Sequence, residues 1–209
     1  MRRSTQFDAL AVRVLDVVTA LALLIFLAPL MLVVAALVYL VDPGPIFFAH
    51  RRLGRDGRTF PCLKFRSMVV DAEQRLSHLL ASDAAAREEW ARDFKLRRDP
   101  RITRIGNFLR RTSIDELPQF INVLRGEMSI VGPRPIVEGE IPRYGRYFAE
   151  YSSVKPGITG LWQVSGRNNI HYRRRVALDV SYARNRCLGL DLRILAMTVP
   201  AVLLARGSF

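Results

Sequence analysis

The chain has 209 residues, with 32 Lys and Arg against 19 Asp and Glu, a net charge of +13, and no charged residue between positions 17 and 41. Charge segregated so sharply from one apolar run excludes a disordered chain, a secreted disulfide scaffold and a soluble domain with a dispersed core. A basic domain of ordinary size attached to a membrane remains.

The tract at 17–41 is apolar apart from Thr19 and the hydroxyl of Tyr39. A continuous helix of this length would cross a hydrocarbon core of about 30 Å. Pro29 sits at its centre, where it removes a backbone donor and crowds the preceding turn. Each half would then be a helix of only about 18 Å. Arg2, Arg3 and Arg13 precede the tract, and Arg51, Arg52, Arg55, Arg58, Lys64 and Arg66 follow it. The positive-inside bias would hold both ends in the cytoplasm. The residues leave two readings open, a kinked spanning helix and a helix-break-helix that dips in and returns. A signal peptide fits badly, because its apolar part is shorter and ends in small residues rather than Asp42-Pro43-Gly44-Pro45.

Residues 46–68 read as a β-hairpin, with Phe47-Phe48 and 60–65 flanking the turn Gly54-Arg55-Asp56-Gly57. Residues 72–96 carry Leu76, Leu79, Leu80, Trp90 and Phe94 at helical spacing, which predicts one amphipathic helix ended by Asp99-Pro100. Ile102, Ile105, Phe108 and Leu109 mark a second, arginine-rich helix, and residues 117–124 a third. Gly132-Pro133-Arg134-Pro135 and residues 155–160 are loops. The uncharged segment 194–205, bent by Pro200, is too short to cross a bilayer and suits a core or interfacial helix.

Cys62 and Cys187 stand far apart, and His50, His78 and His171 fall at no metal-ligand spacing. Zinc, a redox dithiol and a Cys–His nucleophile are therefore poorly supported. The chemistry concentrates in residues 110–119, where Asp115 and Glu116 directly follow Arg110 and Arg111. One reading is structural: Ser113-x-x-Glu116 is a capping-box pattern. The other is catalytic. Carboxylates among cations can attack phosphoryl groups, with positive charge on the non-bridging oxygens and usually Mg²⁺. Arg110, Arg134, Lys64 and Arg66 are the candidate cations. No P-loop, dinucleotide fingerprint or nucleophile elbow occurs.

Five runs in order, Lys64-Phe65-Arg66-Ser67-Met68, Asp99-Pro100-Arg101-Ile102-Thr103, residues 112–119, Val131-Gly132-Pro133-Arg134-Pro135 and residues 155–167, closely resemble the bacterial sugar transferase family of monotopic phosphoglycosyl transferases. The resemblance implies an α-rich α+β protein. A re-entrant membrane hairpin (1–45), broken at Ala28-Pro29, would precede a compact cytoplasmic catalytic domain (46–209) holding the small β-hairpin. It implies transfer of a sugar-1-phosphate from a nucleoside diphosphate sugar to polyprenyl phosphate, with Mg²⁺ as cofactor, at the cytoplasmic face of the bacterial inner membrane. By similarity Asp115 is the nucleophile of a covalent phosphosugar intermediate, and Glu116 binds Mg²⁺ or assists proton transfer. Arg110 and Arg134 match phosphate-binding positions, and Asp191 matches an acidic residue near the nucleotide. Residues 132–145 and 161–169 look most like the galactose-phosphate members of exopolysaccharide and O-antigen synthesis, which implies a UDP-sugar donor, UDP-galactose or UDP-glucose. Arg186 and Gly189 depart from the family's tryptophans. A homodimer is compatible with the spacing. Two competing readings are a non-catalytic membrane anchor and a nucleic-acid binder; the latter would need aromatic residues among the basic clusters.

Overall fold

A computed structural model describes residues 6–93, 96, 98–166 and 171–203. Arg2, Arg3, Phe94, the motif positions 167–169 and the last two residues of the 194–205 segment lie outside the described residues. The elements in chain order are α1 (Gln6–Val41), a hairpin of β1 (Phe47–Leu53) and β2 (Thr59–Phe65), α2 (Ala72–Ser82), α3 (Ala84–Asp93), α4 (Arg104–Thr112) and α5 (Gln119–Arg125). They continue with β3 (Ser129–Val131), α6 (Ile141–Tyr144), α7 (Phe148–Ser152), β4 (Gly157–Thr159), α8 (Leu161–Val164), α9 (Tyr172–Asn185) and α10 (Leu188–Leu203). The described residues are thus helix-rich with two small sheets.

α1 runs as one helix with Pro29 inside it, where the family resemblance implies a break. A proline removes a single intrahelical donor, and a long helix absorbs that loss by bending without losing its neighbouring turns. At 36 residues, α1 would measure about 54 Å if straight. One stripe of the helix is covered. Val12, Asp16, Ala20, Val34 and Val38 are buried, and Leu23, Leu24, Met31 and Ala35 pack partly between them. The opposite face leaves Val14, Val18, Leu21, Ile25, Phe26, Leu32, Val33 and Leu40 exposed. So large an apolar face on one side of a helix calls for lipid or a partner.

The hairpin forms as predicted. β1 and β2 pair antiparallel from Phe47↔Phe65 to Leu53↔Thr59, around a turn in which Asp56 takes φ 58°. The single helix predicted over 72–96 is instead two. Asp83 accepts the Ala86 N–H at 3.1 Å, and Arg87 reaches back to the carbonyls of Leu80 and Ala81. These bonds serve the start of α3 and the end of α2, which favours a joint over a continued helix. The two glycine-bearing loops are also more regular than expected, since β3 and β4 pair in parallel. A Cβ on Gly157 would lie 2.0 Å from the Gly132 nitrogen, and one on Gly160 would lie 2.1 Å from the Gly132 oxygen. Only glycines allow those backbones to touch.

Among the described residues three buried clusters support the molecule. Phe60, Cys62, Phe120, Val123, Met128, Ile130 and Tyr182 join Ala20 of α1 in the first. Leu53, Ile136, Tyr144, Tyr151, Val176 and Val180 form the second. Phe65 and Leu109 meet Val34 and Val38 of α1 in the third.

Candidate active site

The site is built on a tight reversal between α4 and α5. α4 ends at Thr112, and Ser113 adopts the left-handed conformation at φ 59° and ψ 16°. Residues 114–116 then make one 3-10 turn, and Pro118 leads into α5. A serine held at positive φ is mildly strained, a feature common where a side chain must be aimed. The capping box does not form. Ser113 makes no side-chain cap bond, and the Glu116 carboxylate turns away to Lys64.

Lys64 reaches this turn from β2. Its Nζ lies 2.5 Å from Glu116 Oε1 and 3.6 Å from Asp115 Oδ2. Asn122 fixes the distance between the two elements. Fully buried on α5, it accepts the Leu63 N–H at 2.9 Å and donates to the Pro61 carbonyl at 2.8 Å and to Glu127 at 2.6 Å. β2 is thereby locked to the helix that follows this turn. Arg110 sits on the last turn of α4 and donates through Nε to Ser67 Oγ at 2.8 Å. Its charge acts on Asp115. Gly106 lets α4 approach, since a Cβ there would lie 1.9 Å from the Ser67 carbonyl oxygen.

The adjacent carboxylates are pushed in opposite directions. Asp115 is buried, and burial raises its pKa above the ordinary value despite Lys64. Burial also acts to raise Glu116, but Lys64, followed by Arg134 and Arg52, outweighs it and leaves that pKa lowered. Lys64 thus acts on both of two neighbouring carboxylates that are left shifted in opposite directions. Glu116 stays ionised beside its cations. Burial disfavours the ionised form of Asp115, and Lys64 is the main influence opposing it.

Lys64, Arg110, Asp115, Glu116 and Arg134 are therefore gathered in one place. Arg66 is not. Its guanidinium goes to the backbone oxygen and carboxylate of Asp42, where it ties the end of α1 to β2. Asp191 is buried elsewhere, accepting the Tyr182 hydroxyl at 2.7 Å, with Arg186 and Asp16 nearby and its pKa pushed up to about 6 by burial. Ala28 and Pro29 lie midway along α1. Arg52 is a cation that sequence reasoning passed over. It feels Arg134 and Glu116, and its Nη1 donates to the Pro135 carbonyl at 3.4 Å. The alternation of strand side chains places Arg52 on the same hairpin face as Lys64, which is the signal that could have found it.

Residues 7–205 match the family described as bacterial sugar transferase. The exopolysaccharide production protein ExoY of Sinorhizobium fredii is 50% identical over 197 residues, covering 94% of this chain and 87% of that protein. The UDP-galactose-lipid carrier transferase of Erwinia amylovora is 50% identical over 199 residues, covering 94% of this chain and 41% of that protein. The undecaprenyl-phosphate galactose phosphotransferase of Salmonella typhimurium is 49% identical over 210 residues, covering 100% of this chain and 43% of that protein. The chain thus spans most of the first relative and less than half of the other two.

Proposed function

The chain belongs to the bacterial sugar transferase family, and from that premise we propose that it moves a sugar-1-phosphate from a nucleoside diphosphate sugar to polyprenyl phosphate. The observation that carries this reading is the buried Asp115 carboxylate, paired with Lys64 and flanked by Arg110, with the Arg134 side chain exposed nearby. In the first step an Asp115 oxygen attacks the phosphorus that bears the sugar. The bond from that phosphorus to the bridging oxygen breaks, and the nucleoside monophosphate leaves with the oxygen. In the second step an oxygen of polyprenyl phosphate attacks the same phosphorus and releases the Asp115 carboxylate. The product is a polyprenyl diphosphate sugar. Arg134, Arg110 and Lys64 meet the charge on the phosphate oxygens as it shifts. UDP-galactose is the favoured donor, because two of the relatives carry galactose in their names.

Among the described residues no group of three or more His, Cys, Asp or Glu could hold a metal. Mg²⁺ nonetheless suits this donor set, since it commonly binds one or two carboxylates together with substrate phosphates. Glu116 would hold it, and bound there it would supply neutralising charge to the diphosphate.

The re-entrant path of α1, with both ends at the cytoplasmic face of the inner membrane, belongs to the same proposal. Its support is the covered stripe: Asp16 meets β3 through Ser129 and Ile130, while Val34 and Val38 meet Phe65 and Leu109. Both ends of α1 rest on one globular unit, and a helix that crossed the bilayer would carry one end away from it. Single cysteines placed at Asp8 and Pro43, in a Cys187→Ser background, are expected to react with maleimide only once the reagent reaches the cytoplasm. Modification of either by an impermeant reagent from outside would overturn the re-entrant path.

The catalytic proposal is tested by incubating the protein with UDP-galactose radiolabelled in the sugar, with Mg²⁺ and without lipid acceptor. Label should remain on the protein through denaturation, with one UMP released per labelled chain, and polyprenyl phosphate should then remove it. UMP release only when the lipid is present, with no labelled protein, would replace the covalent route by direct transfer.

A further inference from the structure

We propose that Tyr151 is a positioning residue for the donor diphosphate, because its hydroxyl holds the backbone just after Arg134, on both sides of Pro135. This rests on the reading of Arg134 as a ligand of the donor's phosphates. The Tyr151 hydroxyl donates to the Arg134 carbonyl at 2.9 Å and accepts the Ile136 N–H at 3.2 Å. One oxygen therefore clamps the chain across Pro135, starting at the carbonyl of Arg134 itself. Pro133 and Pro135, on either side, have no N–H with which to anchor it.

The surrounding bonds show how firmly this segment is held. The Pro133 carbonyl accepts the Gly157 N–H at 2.8 Å, the Pro135 carbonyl accepts Arg52 at 3.4 Å, and the Ile136 carbonyl accepts the Leu53 N–H at 2.8 Å. Four consecutive carbonyls are thus tied to three different parts of the fold, and Tyr151 supplies the tie at Arg134 itself. Pro133, Pro135 and Ile136 are buried, whereas Arg134 alone of the four is exposed. The backbone is fixed and the guanidinium is presented.

Tyr151 is in turn unable to swing away. Its side chain is 2% exposed, and its ring lies 4.7 Å from that of Tyr144 and 6.0 Å from that of Phe148. The Tyr144 hydroxyl is itself held by Asp179 at 2.7 Å. A long, flexible side chain binds an anion well only when its origin is fixed, since ordering it on binding opposes affinity. Removing the hydroxyl alone would leave a partly buried carbonyl and a buried N–H seeking new partners, and the segment would shift to find them.

The test uses UDP, a diphosphate the protein does not consume, and isothermal titration of the full chain in lipid nanodiscs. Four proteins are compared: unsubstituted, Tyr151→Phe, Arg134→Gln and the double variant, each with its melting temperature. Tyr151→Phe is expected to raise the UDP Kd about tenfold, the scale on which small displacements of binding groups act. Arg134→Gln should raise it as much or more. The double variant should bind within about twofold of Arg134→Gln alone, because the hydroxyl acts through that side chain. A Tyr151→Phe protein with lowered melting temperature and unchanged Kd would reduce the hydroxyl to a packing role and overturn the proposal. An equal loss with and without Arg134 would also overturn it. Arg134→Gln binding UDP like the unsubstituted protein would overturn the donor reading beneath it, a failure separate from one confined to Tyr151.

Discussion

Asp115→Asn is expected to abolish retention of radiolabel on the protein and to lower sugar-phosphate transfer by at least about 10³-fold, as loss of a nucleophile does elsewhere. The amide keeps the shape of the carboxylate but cannot form the bond to phosphorus. The same variant should fold normally and melt no lower than the parent at neutral pH. This follows from the sign of the shift. Burial raises the Asp115 pKa, so the folded chain binds that proton more tightly than the unfolded chain. The contribution to stability is present below the ordinary Asp range and disappears as pH rises through the folded value. At neutral pH the ionised carboxylate therefore opposes folding, and replacing it removes that opposition. Label retained in the Asn variant would assign the nucleophile to another residue. A marked fall in melting temperature would show that Asp115 supports the fold.

Lys64→Met should reduce covalent labelling by about 10²-fold, the scale of losing one electrostatic contact in a preorganised site. Met keeps much of the stem volume and removes the ammonium that bridges Asp115 and Glu116. Without it the two carboxylates face each other with less compensation. Lys64 is the largest influence holding the Asp115 pKa down against burial, so its loss lets that value climb further. Labelling needs the ionised form, so its rate rises with pH through the Asp115 pKa. In the variant, measured at the same Mg²⁺ concentration, the acid limb should move to higher pH. A uniform fall in rate with the limb unmoved would mean that Lys64 binds substrate without tuning Asp115.

The hairpin at 46–68 was legible because its signals are local: strand-forming flanks and a glycine-bounded turn. α4 and α5 were legible for the same reason, within a few residues of their ends. The joint at Asp83 was harder to see. The apolar spacing continues through it, and only the side-chain bonds of Asp83 and Arg87 divide the helix. The parallel pairing of β3 with β4 lies beyond any local pattern, since it joins segments 28 residues apart through backbone contact between glycines.

Within the site, the sequence by itself determined the unusual pair Asp115-Glu116, the arginines about it and the apolar tract that seeks lipid. Those depend on residue type and near spacing alone. Only the tertiary structure decided against the capping box at Glu116, because the same carboxylate could have closed back on Ser113 and instead meets Lys64, 52 residues away. It likewise placed Arg66 at Asp42 and Asp191 at Tyr182, and brought Arg52 to the cationic rim. The physical reason is common to all of these. A charged side chain is positioned by whichever partner stabilises it in a partly buried place, and that partner is chosen by how the elements pack: β2 on α5 for Lys64 and Glu116, α9 on α10 for Tyr182 and Asp191.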